Sequence, residues 1–438
     1  MDGIPISGRG YRGIAESLEA AVRDERLIPG SAVPSVRGLA TQLEVSPATV
    51  AAAYRELRLR GVLTAEPGRG TRVAPRVTVP MRAAATPDPG ARDLSNGNPD
   101  PRLLPSLSQV MGRLRPRQVL YGEPAISPEL LEVMAGHFSD VNVTAAQLTV
   151  VSGAMDGVER ALSTHLLAND RVAVEDPCYT GVLNVLRTSG LVPVRVPIDE
   201  FGMLPDALRA ALAGGARACI VSPRAQNPAG AAVDAIRARE LRDALARSPD
   251  VLVIENDHTN MVSGLPYESV TSDRRRWVLV RSLSKALGPD LRLAFLAGDA
   301  ATIERVERRF QSGPAWVSHL LQAAVVGLLR DPATTALTAR AATVYEQRRL
   351  ALIGALNSHG IAASGRSGLN VLVPVDEESQ VIRAMDAAGW ILRAGEPHRL
   401  ASRPFVRITT AALEPHDAQR LASDLAGTLR FQRLSHPA

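Results

Sequence analysis

The sequence predicts an α/β protein: a mostly parallel sheet flanked by helices, preceded by a small helical unit. Three observations predict it. Seven short apolar runs, each bounded by Gly, Pro, Asp or Ser, recur between residues 147 and 297. Amphipathic stretches such as 153–167 and 234–247 separate most of them, which is the pattern of strands buried on both faces. Before these, residues 76–93 are rich in Pro, Ala and Arg without apolar periodicity and read as a linker that divides the chain.

The 438 residues are 45% hydrophobic and 22% charged, ordinary for a globular chain. A net charge of +5 permits contact with nucleic acid without requiring it. The two cysteines, Cys178 and Cys219, have no metal-ligand spacing and suit a reducing compartment; no metal site is expected. The N-terminus lacks the apolar core of a signal peptide. No run approaches the ~18 apolar residues of a membrane span. A cytoplasmic location without membrane contact is expected. Lysine occurs once, at Lys285; the other 49 of the 50 basic residues are arginine. Arginine can take over lysine's charge at a surface. It cannot supply an amine that loses its proton, because the guanidinium stays charged.

Residues 10–26 form a first helix. Ser35 caps a second, with Val36, Leu39, Ala40 and Leu43 on one face. After the turn Glu44-Val45, Ser46 caps a third, with Pro47 in its first position and Val50, Ala53, Tyr54 and Leu57 as its buried stripe. This is helix-turn-helix spacing. "GVLTAEPGRGTRVA" then reads as a hairpin with a Gly-Arg-Gly tip. Between residues 54 and 73 five arginines (Arg55, Arg58, Arg60, Arg69, Arg72) face two acids (Glu56, Glu66). Arginines on the last helix and hairpin suit phosphates, and Ser46, Ala48 and Thr49 at a helix start suit base edges. The ordinary alternative is a three-helix packing unit with a solvated arginine face. Residues Pro34, Ser35, Arg37, Leu39, Ala40, Val45, Ser46, Thr49, Val50, Tyr54, Leu57, Gly61, Gly68, Gly70, Thr71 and Val73 follow a pattern that resembles the winged helix-turn-helix of GntR-type bacterial regulators. Pro47 stands where that pattern has arginine. The resemblance implies promoter DNA as partner, with Ser35, Arg37, Ser46, Ala48, Thr49, Tyr54, Arg55, Arg58, Arg69, Thr71 and Arg72 as candidate contacts.

Beyond the linker the strand candidates are 147–151, 171–175, 193–197, 217–222, 251–255, 277–281 and 293–297. Lys285 follows the sixth. A lysine amine condenses with an aldehyde, of which pyridoxal phosphate is the commonest, and that cofactor needs further partners. Ser152, Gly153 and Ala154, in "SGAMDG" at a strand-to-helix turn, offer N–H groups to a phosphate. Ser282 and Arg292 flank the lysine and could complete the cup. Asp257 lies just past a strand and could hold a ring nitrogen. Asn227, in "NPAG", could donate to the ring hydroxyl, and Tyr179, in "DPCYTG", could stack on the ring. Each alone could be an ordinary turn, surface or core residue; their convergence at strand ends points to one site.

The series "SGA", Tyr179, "NPAG", Asp257, "SLSKALGPDLR" and a late arginine resembles fold-type I pyridoxal-phosphate enzymes of the aspartate aminotransferase kind. That resemblance implies Lys285 as Schiff-base lysine and Arg407, in "FVRITTA", as binder of an effector or substrate carboxylate. It implies Tyr121 as a residue that reaches the phosphate of the neighbouring subunit, and hence a homodimer. Two departures, Asn260 where tyrosine is usual and "AIS" after "YGEP" where glycines are usual, count against fast transamination. A GntR-type winged helix joined to such a domain resembles the MocR-type regulators. The expected organisation is a winged helix-turn-helix over 1–75, a linker over 76–93 and an aminotransferase-like domain over 94–438. Within the last, the large part spans about 125–330 and the small part about 94–124 and 331–438. The function implied is a transcriptional regulator that senses pyridoxal phosphate, or an amine or amino-acid effector, through an aldimine on Lys285. A working aminotransferase with an accessory DNA-binding domain, and a dead dimerisation scaffold, are the alternatives.

Overall fold

The computed structural model describes residues 6–59, 62–66, 70–73, 90–115 and 117–435. The chain falls into two compact units, one built on the N-terminal residues and one on most of the remainder. Arg60, Arg69, the hairpin tip and linker residues 76–89 lie outside the described residues.

In the N-terminal unit, helices α1 (Tyr11–Arg23), α2 (Val36–Gln42) and α3 (Pro47–Leu59) precede the hairpin β1 (Leu63–Glu66) and β2 (Gly70–Val73). Both predicted caps form: Ser35 Oγ accepts the Gly38 N–H at 3.0 Å and Ser46 Oγ accepts the Thr49 N–H at 3.1 Å. Ile14, Leu18, Leu39, Val50, Ala53 and Leu57 make the core. Tyr54 belongs to that core, which corrects its place among the DNA contacts. It is 2% exposed, and its hydroxyl donates to Pro34 O at 2.7 Å. Its spacing from Val50 and Leu57 puts it on the inward stripe of α3. Arg72 is also engaged within the unit, donating to Gly30 O at 2.8 Å.

The first described strand of the second unit is β3 (Arg92–Asp93), which pairs in parallel with β13 (Trp390–Ile391). The linker as read from composition therefore runs two residues too far. Arg92 pairs with the Asp417 carboxylate and lies 5.8 Å from the Trp390 ring, so a side chain typical of linkers serves here as packing. The main sheet is mixed, in the order β4 (Leu148–Val151), β11 (Ala294–Gly298), β10 (Trp277–Ser282), β9 (Leu252–Asp257), β8 (Ala216–Val221), β5 (Arg171–Asp176), β6 (Val192–Asp199), β7 (Gly202–Met203). The pairs β10–β9, β9–β8 and β8–β5 are parallel, whereas β11 is antiparallel to both β10 and β4. Only residues 283–293 join β10 to β11, too few for a crossover helix, so β11 returns beside its predecessor.

Helices α4 (Leu107–Arg113), α5 (Pro128–His137), α6 (Ala154–Ser163), α7 (Thr180–Thr188), α8 (Pro205–Ala213), α9 (Ala235–Ala246), α10 (Ser284–Leu287), α11 (Ala300–Gln311) and α12 (His319–Arg330) precede, connect or follow these strands. The long α13 (Pro332–Ser358) then joins two cores. Its Ala341 and Tyr345 pack with Phe295 and Leu279, and its Leu352 and Leu356 pack with Val371 and Trp390. The second core covers the antiparallel sheet β12 (Asn370–Pro374), β15 (Phe405–Thr409), β14 (Arg393–Ala394), with α14 (Glu378–Ala387) and α15 (Pro415–Ser435). Leu103 and Val110, expected in the smaller part, pack with the main-sheet core instead. Among the described residues no helix is long and apolar enough to cross a membrane.

Candidate functional site

The strands β4 and β10 are each antiparallel to β11, so they point the same way, and β9, β8 and β5 follow β10 in parallel. The carboxyl ends of all five therefore share one edge, where ligands bind in open α/β sheets. Ser152–Ala154 follow β4, Tyr179 follows β5, Asn227 lies beyond β8, and Asp257 and Ser282 end β9 and β10.

Lys285 is half-buried, and its Nζ donates to Gly97 O at 2.8 Å. Removal from water, and then the charge of Arg407, lower its pKa from the ordinary 10.5 to about 8. Such an amine can lose its proton near neutral pH, which attack on a carbonyl carbon requires. His258, beside Asp257 in sequence, is held neutral at pH 7: burial, then the charge of Lys285, lowers its pKa to about 4.

The residues read from sequence as a phosphate cup lie near one another. Arg292, with φ of 46°, donates from Nη2 to Ser152 O at 3.2 Å. Gly153 has φ of 103°, and a Cβ there would lie 2.7 Å from Arg292 Nη2; only glycine accepts both conditions. A guanidinium thus lies against the loop that opens α6, where the helix N-terminus suits an anion; in this structure the Ser152 N–H donates to Asp156 Oδ2 at 2.9 Å and the Gly153 N–H to Val151 O at 2.8 Å. Ser282 is buried at the same edge and its Oγ accepts the Ser284 N–H at 3.3 Å.

Arg407, on β15, is 4% exposed. Its Nη1 donates to Asn227 Oδ1 at 3.0 Å and its Nη2 to Ser95 O, while Nε is buried without a partner among the described residues. Burial, then the charge of Arg393, lowers its pKa to about 10. The Asn227 amide N–H groups stay available as donors, since the contact to Arg407 uses its oxygen. Asn260 Nδ2 is a second buried donor without a partner among the described residues. Buried donors left unmet are costly unless a ligand takes them. Together with the cup and the lysine, they fit a phosphorylated aldehyde accompanied by a carboxylate.

Asp257 is fully buried but not free. Arg224 grips it through Nε–Oδ1 at 3.3 Å and Nη2–Oδ2 at 2.5 Å, the Asn260 N–H donates to Oδ1 at 3.1 Å, and Arg281 Nε lies 3.7 Å from Oδ2. Tyr179 is 37% exposed and lies near Arg407. Tyr121 is not brought to the cluster within one chain: it is 90% exposed and meets Trp316 edge-to-face at 5.4 Å between ring centroids.

Sequence reasoning missed Gly97, Arg224, Gln226 and His258. Arg224 and Gln226 stand just before Asn227 in "SPRAQNPAG". Gln226 pins this loop, donating to Pro177 O at 2.8 Å and Glu175 Oε2 at 3.1 Å. Burial pushes Glu175 up to about 7 against those hydrogen bonds and those from Ser222. In the N-terminal unit Arg37, Ala48, Arg55 and Arg58 are exposed on α2 and α3, while Ser35 and Ser46, also exposed, use their hydroxyls as caps. Thr71 is half-buried on β2.

Residues 93–425 match the aminotransferase class I and II family, and residues 10–73 match the bacterial regulatory proteins of the gntR family. The vitamin B6 salvage pathway transcriptional repressor PtsJ of Salmonella typhimurium is 38% identical over 96% of this chain and 98% of its own length. The pyridoxine biosynthesis transcriptional regulator PdxR of Corynebacterium glutamicum is 28% identical over 77% of this chain and 76% of its own. Among solved structures, the α-aminoadipate aminotransferase LysN of Thermus thermophilus superposes with a TM-score of 0.70 at 19% identity, covering 80% of this chain and 94% of its own. The fold and family support pyridoxal phosphate as the cofactor. The chain belongs to the aminotransferase class I and II family and, through the gntR-family helix-turn-helix joined to that domain, to the MocR-type transcriptional regulators.

Proposed function

We propose that this regulator binds promoter DNA through α2, α3 and the hairpin, and that its DNA affinity responds to occupancy of the site around Lys285. When bound, pyridoxal phosphate supplies an aldehyde that condenses with amines. The chain's own residues do the rest. Lys285 Nζ, whose lowered pKa of about 8 leaves a fraction of it neutral at physiological pH, is the attacking amine. Arg292, Ser282 and the loop Ser152–Ala154 hold the phosphate. Asn227 donates to the ring hydroxyl, Tyr179 covers the ring, and Arg407 receives the carboxylate of an amine or amino-acid effector. Exposed Arg37, Arg55 and Arg58 meet phosphates of the duplex, with Ser46, Ala48, Thr49 and Thr71 near its bases. The names of PtsJ and PdxR support genes of vitamin B6 supply as targets and pyridoxal phosphate itself as the signal. The exposed Tyr121 supports a homodimer in which a second copy covers it. The match to the bacterial gntR regulators supports a cytoplasmic location.

The observation that carries this reading is the chain's one lysine, desolvated at the edge where the strands end, facing an arginine with an unmet N–H. Lys285→Ala should abolish the yellow absorbance of the reconstituted protein and the cofactor's effect on promoter affinity in fluorescence anisotropy, with the circular dichroism spectrum unchanged. An unchanged absorbance in the variant would sink the assignment. Steady formation of keto acid from an amino acid by the parent would favour an enzyme instead.

A further inference from the structure

We propose that Arg224 is a positioning residue that neutralises Asp257, so that the chain holds its cofactor while weakening the cofactor's electron sink. The inference rests on the reading of Lys285 as the cofactor's anchor. In a buried site a carboxylate keeps a proton on a neighbouring ring nitrogen by its negative charge, and that proton makes the ring draw electrons. The strength of the effect depends on how much of the charge is left unmatched.

At Asp257 little is. Arg224 makes a two-pronged contact at 3.3 and 2.5 Å, and Arg281 Nε approaches to 3.7 Å. Neither arginine is a passing surface group. Arg224 is 8% exposed, donates from Nη1 to Leu265 O at 2.8 Å and lies 5.8 Å from the Tyr267 ring. Arg281 is 3% exposed and held by Asp140 at 2.8 and 2.5 Å. Arg281 also precedes Ser282 on β10, so it points to the face of the sheet opposite Ser282.

The geometry separates two roles that one carboxylate usually combines. Oδ1 accepts from Arg224 and from the Asn260 N–H, and Oδ2 accepts from Arg224. An ionised carboxylate offers about four lone-pair positions, which leaves one on Oδ2. Asp257 can still orient a ring by one hydrogen bond, but with its charge balanced it gains little by keeping that ring protonated. Such an arrangement suits a site that must keep its ligand unreacted long enough to report it.

The test uses the full-length protein reconstituted with pyridoxal phosphate labelled with 15N in the ring. In the parent, the ring-nitrogen resonance at neutral pH should lie at the unprotonated position. In Arg224→Gln it should move toward the protonated position, and glutamate should bleach the yellow band at least about tenfold faster, the change expected for roughly 1.4 kcal/mol of barrier. A protonated ring nitrogen in the parent overturns the inference, and this holds whether or not the variant folds. The same resonance position in parent and folded variant overturns it as well. If the parent captures no labelled cofactor, the reading of Lys285 falls and this inference falls with it.

Discussion

Lys285 Nζ loses its proton near pH 8 because the site denies it water and places Arg407 nearby. The direction has a kinetic consequence. An exposed lysine amine becomes mostly neutral only above about pH 10.4, whereas this one is half in its nucleophilic form at about pH 8. The rate at which apo protein captures added pyridoxal phosphate, followed by stopped-flow absorbance, should therefore rise with a midpoint near pH 8 and level off above about pH 9. His258, already neutral, adds no step in that range. A rate that keeps climbing toward pH 10 would mean that Lys285 titrates as an ordinary lysine. The stability sign agrees. A lysine whose folded pKa is depressed binds fewer protons than the unfolded chain between about 8 and 10.5, so its penalty is full below that window and fades as pH rises through it.

The loops that carry the site are placed by the strands they follow. The turn from β4 into α6 brings Gly153 so close to Arg292 that a methyl group at its Cα would meet the guanidinium at 2.7 Å, in a backbone conformation alanine rarely adopts. Gly153→Ala should weaken pyridoxal-phosphate affinity by about tenfold or more while lowering thermal stability by no more than a few degrees, since the strain is confined to one loop. Equal affinity in quenching titrations would show that the cup does not depend on this approach. The same loops explain what could be read in advance. Ser152, Tyr179, Asn227, Asp257 and Ser282 each follow a recognisable apolar run, so chain order alone puts them at one edge. The seven strands were legible for the same reason, to within a few residues. Arg224 was not, because its role is set by a carboxylate 33 residues away that it meets only after β8 and β9 pair. Gly97 meets Lys285 across 188 residues and gives no local signal. Tyr54 was placed on both the buried stripe of α3 and the DNA face, and the hydrogen bond to Pro34 decides for the core.

A chain that carries both a DNA-reading unit and a cofactor site is constrained by linkage, whatever the arrangement of the two. If occupancy at Lys285 changes promoter affinity by some factor, promoter binding must change cofactor affinity by the same factor. Couplings of this kind usually span about 5- to 150-fold, which two ordinary measurements can resolve. Anisotropy with labelled promoter DNA, with and without saturating pyridoxal phosphate, gives one factor. Quenching titration of the cofactor, with and without saturating promoter, gives the other. The two should agree within error at a single salt concentration, held fixed because phosphate contacts by Arg37, Arg55 and Arg58 make DNA affinity fall steeply with salt. Lys285→Ala should bring the first factor to one without changing the affinity of the cofactor-free protein for DNA, since Lys285 lies in the aminotransferase-like unit rather than on α2 or α3. A factor that stays above one in the variant would place the sensed ligand elsewhere. A factor of one in the parent would mean that the aminotransferase-like unit does not report to DNA at all.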